Sequence, residues 1–181
     1  MNLDNFSEKL RITVDAAFNY AKDNGCNYFF PIHILIILLQ DDNLISETLK
    51  ELKVSKQALL DESIMISNEQ NNSSKDTQIQ SNVILLLNKI NDQISKYKVS
   101  NSESLIALME LSSDISPITK KLLNKFGIKY EDLKNYLQSI KNDIQDQYDN
   151  IKKYTIDLTD LAKNNKIDPI IGRESEIKRS I

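Results

Sequence analysis

The stretch LKELKVSKQALL at residues 49–60 returns as LNKFGIKYEDLK at residues 123–134. Leu49 falls on Leu123, Leu52 on Phe126, Val54 on Ile128 and Leu59 on Leu133, and Gly127 stands where Lys53 stands in the first copy. Any two amphipathic helices share a spacing of apolar residues; sharing a turn as well points to a duplication. Upstream, Ile34-Leu35 falls on Leu105-Ile106 at a slightly smaller offset, so one loop differs in length between the copies. A four-helix unit has little core of its own, and two packed face to face bury more. The expected fold is therefore all-α, a double four-helix repeat. Repeat 1 covers about 1–66, a polar linker covers 67–80, and repeat 2 covers about 81–148, with a connector over 149–181.

The segments between these anchors read the same way. Phe6, Leu10, Val14, Ala17, Phe18 and Ala21 make one apolar helical stripe, closed by Asn24-Gly25. Pro31 suits the first turn of the next helix, whose run IHILIILL is apolar nearly all round and must be buried between others. NVILLLNKINDQISKY and SESLIALMEL are the matching long amphipathic and short buried helices of the second copy. The stretch SNEQNNSSKDTQIQ at 67–80 has nothing to bury and reads as solvated. Only three glycines and three prolines occur in 181 residues, too few for the turns of an all-β fold.

Inventory excludes most chemistry. His33 is the single histidine and sits in the first turn of the most apolar helix, where it reads as core. One histidine and one cysteine, Cys26, cannot build a zinc cage or a disulfide. The three glycines, Gly25, Gly127 and Gly172, exclude a GxxxxGK phosphate loop. No catalytic residue and no metal site is expected. Net charge is −3, with seven basic and five acidic groups in residues 151–181 and 16 basic against 21 acidic before them. An acidic body without a Lys/Arg stripe is a poor footprint for nucleic acid. No apolar run reaches the length of a membrane span. A reducing, cytoplasmic setting is the expectation, with an organelle or secretory compartment as the alternative if a targeting segment was removed.

The last 30 residues carry a more specific signal. KKYTIDLTDLAKNNKIDPIIGRESEIKRSI supplies Tyr154, Asp157, Leu158, Thr159, Asp168, Pro169, Gly172, Arg173, Glu176 and Arg179 in the order found at the entry to the first ATPase module of Clp-family AAA+ chaperones. The duplicated helical part in front resembles the N-terminal domain of the same family. Its FFPIHILIILL is similar to the family's P-L-H-L signature, nearest to the ClpB disaggregase branch.

The resemblance implies a domain that takes up unfolded or aggregated polypeptide, or an adaptor protein, for a hexameric ring; the isolated chain is expected to be monomeric. Apolar residues lining a groove between the copies are expected to hold clients: Val83, Leu86, Leu87, Ile90 and Leu105, with Ser104. Ser7 and Glu103 match positions where the family has polar residues associated with substrate. Ile170 and Ile171 match the aliphatic pair that packs on the adenine of ATP. ATP and magnesium are thus implied for a longer protein and none for this stretch, whose ending looks like a helix cut short. Two alternatives stay open: the N-domain of a ClpC- or ClpA-like unfoldase that feeds a protease, and a stand-alone helical adaptor.

Overall fold

The computed structural model describes residues 6–41, 43–69, 77–97 and 102–154. Eight helices run in order among them: α1 (Glu8–Asp23), α2 (Pro31–Asp41), α3 (Asn43–Glu51), α4 (Lys56–Glu69), α5 (Ser81–Tyr97), α6 (Glu103–Leu111), α7 (Pro117–Lys125) and α8 (Tyr130–Tyr154). The chain separates into two compact units, Met1–Lys141 and Asn142–Ile181. The first holds the core. Of the second, only the last turns of α8 fall among the described residues.

Helices α1–α4 and α5–α8 repeat one another. In α2 every residue from Ile32 to Leu39 is buried, and in α6 every residue from Ser104 to Leu111. These two largely apolar helices pack on each other, with α1 and α4 against α2, and α5 against α6. Each fully buried Leu or Ile contributes about 1.5–3 kcal/mol, so this pair of helices anchors both copies.

The matching turns are built alike. Lys53 has φ 57° and Gly127 has φ 79°. Val54 N–H donates to the Leu49 carbonyl at 2.8 Å and Lys53 N–H to that of Lys50 at 3.0 Å. Ile128 N–H donates to Leu123 at 2.9 Å and Gly127 N–H to Asn124 at 3.0 Å. Both are Schellman endings, in which a left-handed residue lets the chain cover the last carbonyls of the helix. Gly25, with φ 69°, closes α1 in the same way. Ser55 then accepts from Ala58 N–H at 3.3 Å to start α4.

The stretch 67–80, expected as a solvated linker, has regular structure at both ends. Ser67–Glu69 finish α4, and Gln78–Ile79 form β2, which pairs in parallel with β1 (Tyr28–Phe29). Gln78 N–H donates to the Asn27 carbonyl at 2.8 Å, and the Thr77 hydroxyl to that of Cys26 at 2.8 Å. A strand of two residues leaves almost no periodic trace in TQIQ. Its effect is large, because it brings the start of α5 beside the start of α2.

Among the buried polar side chains of the described residues, His33 and Glu110 are the two that carry an ionisable imidazole or carboxyl group. His33 Nδ1 accepts from Phe30 N–H at 3.0 Å while His33 N–H donates to the Phe30 carbonyl at 3.1 Å. This is one half of a capping box, with imidazole in place of Glu; Phe30 has no side-chain acceptor, so its own carbonyl takes the His33 N–H. The ring stacks on Phe29 at 5.9 Å, and burial lowers its pKa from 6.5 to about 4. Glu110, 1% exposed, accepts from the Tyr130 hydroxyl at 3.2 Å and ties α8 to α6. Burial raises the Glu110 pKa, and burial together with Glu110 pushes Tyr130 up to about 12.

Two outcomes test these elements. Lys53→Gly should stabilise the protein and Gly127→Ala destabilise it, each by about 1 kcal/mol in urea denaturation, because only the backbone region is at stake. A Cβ on Gly127 would meet nothing within 4 Å. For His33, the unfolded state takes up a proton as pH falls below 6.5 and the folded state resists until about 4. Stability present above 6.5 is thus lost on the way down to about 4, by about 3 kcal/mol at most. Urea melts of His33→Gln between pH 7 and 4 should lack that part of the loss.

Candidate functional site

Ser7 precedes the first turn of α1 and accepts from Leu10 N–H at 3.2 Å, the ordinary work of an N-cap. Its hydroxyl also donates to Glu103 Oε2, at the first position of α6. A carboxylate there is favoured by the positive end of the helix. Two residues 96 apart in sequence are thereby brought together, both half-buried.

The apolar candidates are placed otherwise. Val83, Leu86, Leu87 and Ile90 are all buried, as are Leu105 and Ser104. The first four occupy i, i+3, i+4 and i+7 of α5, which is the stripe that faces α6. They are core, and the expectation that they line an open groove is corrected accordingly. The candidates Ile170 and Ile171 lie outside the described residues.

Exposed apolar surface lies on the opposite faces. Ile12 in α1 is 61% exposed, and in α5 Leu85 is 59% and Ile84 47% exposed. Leu10, Val14 and Ala17 of the first copy stand on Val83, Leu87 and Ile90 of the second, a register that sets Ile12 on Leu85. Each repeat therefore leaves a large aliphatic residue in water at the same place. Around Ile12 lies an open groove of about 400 Å³ between α1 and α2, with Thr13, Ala16, Ile37 and Leu38 in its walls and Glu8 and Lys9 at its side. Ile12, Ile84 and Leu85 were legible in the sequence: an apolar residue off the core stripe of an amphipathic helix must point outward.

Among the described residues no group of three or more His, Cys, Asp or Glu is placed to hold a metal ion. No helix among them is long and apolar enough to cross a membrane. Cys26 is buried, and burial raises its pKa, which keeps it in the unreactive thiol form.

The model of the Clp repeat (R) N-terminal domain matches residues 5–115. The chain belongs to that family. Over its whole length it is similar to the chaperone protein ClpB of Rhizobium meliloti (strain 1021), at 28% identity, and of Vibrio cholerae serotype O1, at 29%. It spans 22% of the length of each of these relatives. The fold is that of the Hsp104 N-terminal domain from Candida albicans, with a TM-score of 0.63 over 75% of this chain and 91% of that one, at 14% identity. A structure from preliminary investigations of a malarial protein secretion system also aligns, with a TM-score of 0.63, 21% identity, and 76% of this chain and 95% of that one covered.

The two faces of α5 separate in a stability measurement. Leu86→Ala should cost about 2–5 kcal/mol, the price of a core cavity. Ile84→Ser and Leu85→Ser should stay within about 0.5 kcal/mol of the parent in the same urea melts.

Proposed function

We propose that this domain captures unfolded or aggregated polypeptide, or an adaptor protein that carries it, for an ATP-dependent disaggregase of the ClpB type. The observation that carries the proposal is the pair Ile12 and Leu85: one aliphatic side chain exposed at the same place in each repeat, the first of them lining an open apolar groove. Scattered exposed apolar residues are ordinary on a protein surface. Here they recur with the duplication, on faces that the core does not need.

Such a surface binds by covering apolar side chains and reads no particular sequence. Two aliphatic contacts contribute at most about 3–6 kcal/mol before the entropy of association is subtracted, so affinities are weaker than roughly 10 µM. Weak capture matches a task in which the client must be handed on. The half-buried Ser7–Glu103 pair supplies a polar edge that can take N–H groups of an extended client. In this reading ATP and magnesium belong to the ring modules, which also make the hexamer, and the domain on its own is a monomer.

The test is a titration of the 181-residue chain with a reduced, carboxymethylated protein that cannot refold, followed by amide shifts. Shifts should gather on α1 from Glu8 to Ala16 and around Ile84, Leu85 and Glu103. The double variant Ile12→Ser, Leu85→Ser should bind about tenfold more weakly while melting like the parent. Equal binding by parent and double variant would sink the proposal.

A further inference from the structure

Three helix starts meet at a second, smaller cavity of about 160 Å³. It lies between Phe30-Pro31-Ile32 at the head of α2, Asn82 in the first turn of α5, and Ser116 to Thr119 at the head of α7. The β1–β2 pair holds the first two together. In both α2 and α7 the first helical residue is a proline, which has no N–H to offer, so the free donors begin one residue later. The N–H groups of Ile32, Ile118 and Thr119 have no partner within their own helices.

Ser116 is the residue that points to a ligand. It is 2% exposed and lines the cavity, yet it makes no side-chain cap to α7. Its hydroxyl has no hydrogen-bond partner among the described residues. Asn82 Oδ1, also on this cavity, is a buried acceptor in the same state. The Thr119 hydroxyl is occupied, donating to the Leu111 carbonyl at 2.6 Å, which leaves its N–H. A buried hydroxyl and a buried amide oxygen are each costly without partners. The walls around them are apolar: Phe30, Pro31, Pro117 and the 43% exposed Ile118.

From these groups we infer that the cavity is a site for the C-terminal residue of a polypeptide. Its α-carboxylate accepts from the Ser116 hydroxyl and the N–H groups at the heads of α2 and α7, whose dipoles favour an anion. Its peptide N–H donates to Asn82 Oδ1. Its aliphatic side chain rests on the two prolines and Ile118. No ionisable residue lines the cavity, so the anion meets no like charge in its walls. The inference shares with the proposed function only the view that the ligand is polypeptide, and it uses different residues.

N-acetyl-leucine, N-acetyl-leucinamide and inorganic phosphate are the probes, each titrated into the 181-residue chain with amide shifts as readout. N-acetyl-leucine should shift Ile32, Asn82, Ile118 and Thr119 saturably, and the amide should not. Ser116→Ala, which loses no cap, should weaken the acid about threefold to tenfold. Ile118→Glu, at an exposed position, should abolish its binding by like charge. Equal shifts from acid and amide would make this a plain apolar hole. Equal shifts from phosphate would make it a plain anion site, and silence at ~100 mM acid would remove it altogether; each result overturns the assignment. If an unfolded protein still shifts Ile12 and Leu85 while N-acetyl-leucine does nothing, only the present inference falls.

Discussion

A helix that is apolar on every side cannot be left against water, and this chain has two that come close to it. Helix α2 and helix α6 are buried along nearly their whole length and pack on each other. Everything else is arranged around that contact. The longer helices α1 and α5 lie outside it with one face inward. Their outer faces are then free to carry residues chosen for reasons other than stability. Removing either apolar helix would strand the other, so neither repeat has a complete core without its twin.

The polar groups inside show how tightly that core is specified. His33 does the work of a capping residue where a charged group would have to be desolvated, and its neutrality at ordinary pH follows from the place it holds. Glu110 faces the same cost and meets it with a hydrogen bond from Tyr130 across to the last helix. These links therefore restrict which helix may dock on which, and in what register.

How far the sequence spoke depended on the length of the signal. The duplicated turn was readable because a left-handed residue closing a helix leaves a fixed pattern of apolar neighbours, even with lysine at the position in one copy. The strand β2 was not readable, because two residues cannot show a period. The apolar candidates on α5 are the residues of its inward stripe, and they are buried. Choosing the most apolar residues of α5 selects the core by construction, whereas an apolar residue that breaks the stripe, such as Leu85, is left in water. Ser7 and Glu103 were named by resemblance alone, and their contact could not have come from local pattern, since it joins the starts of two distant helices.

The register of the repeats sets Glu103, at the head of α6, on Ile32, at the head of α2. The copies meet as across the twofold of a homodimer, with α2 on α6 and the α2–α7 contact answered by that of α6 with α3, and in a dimer each of these positions would have to carry the same residue. Joining the copies in one chain lifts that rule. Here one head carries an acidic residue and the other an aliphatic one, so that two positions of common descent differ in chemistry. The molecule is in this sense a symmetric dimer that has been released from its symmetry.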